Sequence, residues 1–438
     1  MGDNVGDIAG MGSDLFGSLA ESTCAALLVS ATSEELIFKG SYIYPLMITA
    51  AGIIVSIFTA QIAFFTSRKI KKYDDLERTI TYQMIISSVL LIPFIYLITV
   101  MYIPEKYSVG QQKTVSFKQN VTRFDTMLCP ISGLISGLAI GFVTEYYTSM
   151  SYTPVKELIS GCKQGPAINI ILGLALGYMS SVIPTLLIAA TLYVSYQSAG
   201  MFGIALAAIG MLSNLPICLA IDGYGPISDN AGGMATMCSL RDSARVITDD
   251  LDSAGNTTAA IGKGFAIGSA CLVAFALFGA FVTRTEITKL NLNSALIFSG
   301  LLFGSMIPYI FSAMTIKAVG KAAEAMVHYI KEDFISKDLI NPIDPNRIDL
   351  IKLMQIEKVD FSACIAISTR SSLIGMILPG LLVIITPIVV GVLFGPLAVA
   401  GYLMGVIING IQMATSSANS GGAWDNCKKS INSKIFSV

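Results

Sequence analysis

Ten apolar stretches, each roughly 20 residues or longer, leave this chain few ways to fold. They cover about 8–33, 41–66, 80–103, 128–147, 167–196, 200–221, 259–284, 292–317, 371–394 and 396–417. A helix of that length crosses the ~30 Å hydrocarbon core of a bilayer. Inside lipid the backbone must be hydrogen-bonded within its own segment, so each stretch is expected to be a helix. Composition agrees: 53% of residues are hydrophobic and only 13% charged, against about a quarter charged in soluble domains. The expected fold class is an all-α polytopic membrane protein with about ten transmembrane helices. Residues 1–438 read as one integral membrane domain surrounded by membrane lipid. A soluble multi-domain protein is a poor alternative. The net charge of −1 suggests no nucleic-acid partner.

The eight cysteines are scattered with no CxxC pair and read as small buried residues, with a zinc site or disulfide framework as the alternative. The single histidine, His328, excludes His-rich metal chemistry and reads as a solvated side chain in a polar loop segment. Two aspartates precede the first apolar run, in MGDNVGDIAG, so no cleavable signal peptide is expected.

The polar connections alternate in side. One set comprises 67–79, 148–165, 222–258, 318–370 and the residues after 418. It holds SRKIKKYDDLERT, and also Lys321, Lys331, Lys337, Arg347, Lys352, Lys358 and Arg370. The positive-inside rule makes this set cytosolic. In the opposite set, 104–127 carries Lys106, Lys113, Lys118 and Arg123, which argues weakly the other way, and the sequon Asn120-Val121-Thr122, which suits a lumenal side. The long cytosolic segment 318–370 begins with KAVGKAAEAMVHYIKEDF, whose spacing continues the eighth span as helix.

Three polar motifs fall on the cytosolic side, at 1–10, 222–263 and 418–438. The first is GDNVGDIAGMGSDLFGSLAE from Gly2. The second runs from Asp222 to Gly233 and from Thr248 to Lys263. The third is NSGGAWDNCKK from Asn419. Each joins carboxylates to small residues, and two add lysines. Hard oxygen ligands suit Mg²⁺, which shares its shell with phosphate oxygens. Lysine supplies a point charge for phosphate, and glycine admits close backbone approach. Together they read as a Mg–phosphate site on helix ends; ordinary polar caps are the plainer reading. Asp3, Asp7, Asp14 and Glu21 follow spacings of 4, 7 and 7. They therefore share one helical stripe, drifting only about 20° per seven residues. The stripe descends about 21 Å from Asp7 to Glu21. That puts Asp14 and Glu21 inside the membrane, where an ionisable group usually marks an ion path. A structural ion pair with another helix is the alternative.

These motifs resemble those of the membrane-bound, proton-translocating inorganic pyrophosphatases of vacuolar type. Residues 141–148 (GFVTEYYT), 173–178 (GLALGY) and Ile367-Ser368-Thr369 extend the resemblance. It implies a homodimer of sixteen-span subunits, of which the ten spans here match the sixth to fifteenth. Earlier helices with a DVGADLVGKVE-type motif and a last helix with a GDTVGDPFKDTSGP motif have no counterpart, so the chain is expected to be a fragment truncated at both ends. The resemblance assigns Asp3, Asp229, Asn256 and Asp425 to Mg²⁺, and Lys263, Lys428 and Lys429 to phosphate. Asp7 would orient and deprotonate the attacking water; Asp14 and Glu21 would form the proton gate. Ala259 stands where potassium-independent members place a lysine, which implies dependence on K⁺. Glu21, seven residues after Asp14, matches proton rather than sodium pumps. Thr236, Arg370 and Ser420 depart from the family's glutamate, aspartate and threonine.

The implied function is hydrolysis of inorganic pyrophosphate coupled to movement of protons into the lumen of a vacuolar or acidocalcisome-type compartment. With half of the water-activating carboxylate pair missing, this chain alone is expected neither to pump nor to hydrolyse appreciably. An ion-coupled secondary transporter using Asp14 and Glu21, or a non-catalytic pseudogene product, are the alternatives.

Overall fold

The computed structural model describes residues 8–66, 73–110, 117–238, 242–287, 289–336, 340–341, 344–348 and 362–432. It is almost wholly helical. Among the described residues, eight stretches are long and apolar enough to cross a membrane, from Ser41–Gln61 to Pro396–Ile431. The all-α polytopic expectation therefore holds. The stretches read separately at 167–196 and 200–221 fall largely within one run, Pro166–Met211, whose backbone leaves helical geometry where they meet, at Ala199 and Gly200. The stretch at 8–33 is helical but interrupted by Asp14, Glu21 and glycines, and falls outside the eight.

The chain divides into two compact units. The first contains 3–291 and 407–438. Its helices are α1 (Gly10–Ser30), α2 (Glu34–Phe38), α3 (Tyr44–Thr66), α4 (Tyr73–Tyr102) and α5 (Arg123–Thr148), followed by α6 (Thr153–Cys162), α7 (Pro166–Ser180), α8 (Val182–Met211), α9 (Leu215–Met237) and α10 (Asp242–Arg284). A short antiparallel pair, β1 (Lys106–Val109) and β2 (Lys118–Thr122), joins α4 to α5.

The core forms around the second half of α8. The helix breaks at Ala199 and Gly200, where Gly200 takes φ +60°. Beyond the break every residue to Met211 is buried. A helix that is apolar all round has to be enclosed, and α5 and α10 enclose this one. The α5 contact is backbone to backbone: a Cβ on Gly133 would overlap the Ala207 carbonyl, and one on Gly210 would overlap Pro130. Small residues at such crossings let helices approach where lipid supplies no hydrophobic drive.

Arg123, one of the basic residues of 104–127, has a local task that it shares with Lys39. Arg123 Nε donates to the Ile103 carbonyl at 2.7 Å, and Lys39 Nζ donates to the same oxygen at 3.0 Å. Cations there complete the carbonyl end of α4. Thr122 of the sequon caps α5, accepting from Asp125 N while the Asp125 carboxylate accepts from Thr122 N.

The second unit, 292–406, contains α11 (Ala295–Ser336), a small pair β3 (Ile340–Asn341) and β4 (Asp344–Ile348), α12 (Ser362–Phe394), and the first part of α13 (Pro396–Asn432). Gly300 and Gly304 of α11 meet the backbone of Ala398 and Tyr402, and Tyr402 Oη shares a 2.7 Å hydrogen bond with Thr386 Oγ1. The helical continuation read after residue 318 is present, since α11 extends to Ser336. His328 lies on it, exposed, with Nδ1 3.5 Å from Glu332.

Candidate functional site

Two of the motif segments read as loops, 222–263 and 418–438, are helical over nearly all of their described residues, while 1–7 of the first lies outside the described residues. Residues 222–237 belong to α9, 242–263 to α10 and 418–432 to α13. Glycine, serine and aspartate are weak helix formers, so local composition hides these elements; packing between them holds them helical. The helices α9 and α10 cross at two glycines, with Gly225 against Gly255. Tyr224 Oη reaches across to the Leu251 carbonyl at 2.9 Å.

The third motif docks its helix on three others of the same unit. Asn419 Nδ2 donates to Ser180 Oγ at 2.9 Å, and Ser420 Oγ to the Gly173 carbonyl at 2.9 Å, both on α7. Trp424 Nε1 donates to the Asn169 carbonyl at 3.3 Å. Asn426, fully buried, donates to the Thr148 carbonyl at 2.7 Å and Thr257 Oγ1 at 3.1 Å, tying α13 to α5 and α10. Ser420, where the resembled family has threonine, retains a hydroxyl for this bond.

This docking delivers Lys429 into a cage of carboxylates. Its Nζ lies 2.6 Å from Asp252 Oδ2, 3.0 Å from Asp425 Oδ2 and 3.8 Å from Asp229 Oδ1. The three aspartates come from α10, α13 and α9. The lysine side chain is 10% exposed and that of Asp252 8%, so this is a desolvated pair whose partners depend on one another. Lys428, at 66% exposure, pairs with Asp425 Oδ1 at 2.9 Å on the rim.

The structure thus brings together Asp229, Asp425, Lys428 and Lys429 from the sequence-derived set and adds Asp252. Lys263 takes no part in this cluster among the described residues. It shares a face of α10 with Asp252, Asn256 and Ala259, at spacings of 4, 3 and 4, three turns or about 16 Å beyond Asp252. The side chain of Asn256 lies outside the described residues, as do Asp3, Asp7 and the side chain of Thr236. Asp14 and Glu21 stand on an exposed stripe of α1. No ion pair joins either to another described residue. Arg370 is exposed on α12, and nothing in the structure explains its charge. Asp222, also unanticipated, is buried two turns before Asp229 on α9, where a Cβ on Gly262 would overlap its carboxylate.

Mg²⁺ is tested by the donor set. Among the described residues no three His, Cys, Asp or Glu side chains form a metal-ligand group by themselves. Mg²⁺ does not need one, because it binds through one or two carboxylates with phosphate and water completing its shell. Asp229, Asp252 and Asp425 offer only hard oxygens, and Asp252 Oδ1 is buried with no hydrogen-bond donor among the described residues. The residues present fit that ion.

Fold and cluster together define a polytopic membrane protein with a buried lysine–carboxylate centre. The family model described as inorganic H+ pyrophosphatase matches residues 1–437, and the chain belongs to that family. It is 37% identical over 444 residues to a K(+)-insensitive pyrophosphate-energized proton pump of Methanosarcina mazei, covering 98% of this chain and 61% of the relative. It is 38% identical over 445 residues to a putative K(+)-stimulated pyrophosphate-energized sodium pump of Clostridium tetani, covering 98% and 60%. A K(+)-stimulated pyrophosphate-energized sodium pump of Thermotoga maritima is 41% identical over 310 residues, 68% of this chain and 41% of the relative. The chain spans about three fifths of the length of the first two relatives.

Proposed function

We propose that the centre around Lys429 binds Mg-pyrophosphate, and that the protein to which this chain belongs hydrolyses it to two phosphates and couples the reaction to proton transport. The observation that carries this reading is the ammonium of Lys429 held by Asp229, Asp252 and Asp425 from three helices. Carboxylates that now neutralise a lysine can turn to Mg²⁺, and the lysine can then turn to phosphate. Asp229, Asp252, Asp425, Asn256 and Asp3 would hold Mg²⁺, which neutralises phosphate charge and positions the leaving group. Lys428 and Lys429 would take the phosphate oxygens, with Lys263 deeper on the α10 face. Asp7 would hold the attacking water and accept its proton. Asp14 and Glu21, seven residues apart on α1, would pass the proton; that spacing supports protons over sodium, although relatives of both kinds exist.

Ligand binding is the direct readout for this chain. Imidodiphosphate, a pyrophosphate analogue with an unreactive bridge, should protect the detergent-solubilised protein from trypsin only when Mg²⁺ is present, with protection weakened at least about tenfold in Asp425→Asn. Equal protection by orthophosphate, or protection indifferent to Mg²⁺, would sink the assignment.

The K⁺ assignment rests on Ala259, which is buried on the α10 face that carries Asp252 and Lys263. A lysine there would place its own ammonium beside the site in place of K⁺. K⁺ is expected to tighten imidodiphosphate binding by the unaltered chain, and Ala259→Lys is expected to abolish that K⁺ effect. An undiminished K⁺ response in the variant would remove Ala259 as the determinant. The homodimer, the vacuolar or acidocalcisome-type membrane and the cytosolic placement of the motifs are carried by the family resemblance, the last also by the basic residues of 67–79 and 318–370.

A further inference from the structure

Cys162 ends α6, and Cys427 lies on α13 between Asn426 and Lys428. They are 265 residues apart in sequence, yet their Sγ atoms stand 3.4 Å apart. Both are free thiols. A disulfide has an S–S length of about 2.05 Å, so the sulfurs need to close by only about 1.4 Å. Asn169 Nδ2 donates to Cys162 Sγ at 2.6 Å and lies 3.9 Å from Cys427 Sγ, so a single amide addresses both sulfurs. The pair is framed by an apolar cluster including Leu158, Ile159, Leu176 and Ala423, which holds α6 and α13 together. An open cavity of about 590 Å³, lined by Cys162, Asn169, Trp424, Cys427 and Lys428, gives small molecules access to it.

We propose that Cys162 and Cys427 form a peroxide-reactive pair whose disulfide pins the lysine-bearing end of α13 to α6. Cys162, the more open of the two, reacts first. Its thiolate attacks the terminal oxygen of a hydroperoxide; the O–O bond breaks, and the leaving alkoxide or hydroxide takes a proton. Cys162 becomes a sulfenic acid. The Cys427 thiolate then attacks that sulfur, the S–O bond breaks, and hydroxide departs as water with a proton. Two thiols have lost two electrons to the peroxide, and a dithiol reverses the change by exchange. The new bond ends one residue before Lys428 and two before Lys429. The oxidation chemistry does not depend on what the lysine centre binds.

The test is peptide mass spectrometry of the full chain in detergent, after hydrogen peroxide and rapid alkylation. A crosslinked peptide containing Cys162 and Cys427 is expected, absent before oxidation and removed by dithiothreitol, with alkylation of both thiols falling together. Cys162→Ser is expected to leave Cys427 alkylatable after the same treatment. Full alkylation of both thiols after peroxide, or Cys162 accumulating as sulfinic acid while Cys427 stays alkylatable, overturns the proposal. The first readout uses the unaltered protein, so it stands even if a variant fails to fold.

Discussion

Lys429→Met is expected to destabilise the first unit by about 3–5 kcal/mol, because it strands a buried charge rather than merely removing a contact. The carboxylate of Asp252 is almost fully enclosed and its 2.6 Å partner is the lysine. Asp425 and Asp229 are more exposed and share the same ammonium at longer range; solvent can take over much of their loss. The energetic weight therefore falls on the Asp252 pair, and a double-mutant cycle isolates it. Adding Asp252→Asn to Lys429→Met removes the stranded charge and should restore about 1–3 kcal/mol. The measurement is the unfolding midpoint and slope of single and double variants in the same detergent. If the double variant is as unstable as the sum of the singles, the two side chains are not coupled and the cage is incidental. On the proposed reading, both variants also lose Mg-dependent imidodiphosphate binding, since restoring stability does not restore the phosphate-binding ammonium. Lys428→Met, which removes only the exposed rim pair with Asp425, should change stability by no more than about 1 kcal/mol.

That contrast also shows where sequence reading reaches and where it stops. Lys428 and Lys429 are adjacent and chemically equivalent in the motif. Successive helical residues point about 100° apart, so only the docking of α13 decides which one is buried among aspartates. The same holds on α10, where Asp249, Asp250 and Asp252 crowd one turn and packing alone selects Asp252. Asp229 and Asp425 were singled out by the family resemblance of their glycine-rich segments, whose composition alone pointed to a Mg–phosphate site without choosing individual ligands. The apolar stretches were legible because lipid imposes their length. The helices at 222–237 and 242–258 were not, because glycine, serine and aspartate carry no apolar period and the order there comes from partners distant in sequence. The break at Ala199–Gly200 was legible as the boundary between the stretches 167–196 and 200–221, but its kinked geometry was not, because the sequence is apolar on both sides and hydropathy does not register a change of direction. The capping role of Arg123 and Lys39 needed Ile103 to be known as the shared acceptor, which no local pattern supplies.

Substituting valine at Gly173 or Gly177 is expected to disable the site from a distance, although neither residue belongs to the lysine–carboxylate cluster. Both lie on the face of α7 that receives α13. A Cβ on Gly173 would enter the ring of Trp424, and one on Gly177 would overlap Ser420 and approach the Ser416 carbonyl to 2.7 Å. The indole cannot simply rotate away, because its Nε1 is bonded to the Asn169 carbonyl, and Ser420 is held by the Gly173 carbonyl. The remaining response is for α13 to back away from α7, carrying Asp425 and Lys429, five and nine residues after Ser420 along the same helix, out of register with Asp252 and Asp229. Overpacking of this kind typically costs about 1–3 kcal/mol. The larger effect should be on ligand binding, with at least a tenfold loss of Mg-dependent imidodiphosphate affinity, because three helices must converge on one ammonium. Gly421 is the matched control. It sits on α13 beside Ser420, but a Cβ there meets nothing within 4 Å, so Gly421→Ala should keep full affinity and gain about 0.5–1 kcal/mol from helix propensity. Affinity and unfolding midpoint measured for all three variants separate the cases. Retained binding in Gly173→Val would mean that α13 positions its lysines without α7, whereas a loss in Gly421→Ala as large as in Gly177→Val would mean that backbone freedom, rather than contact with α7, governs the site.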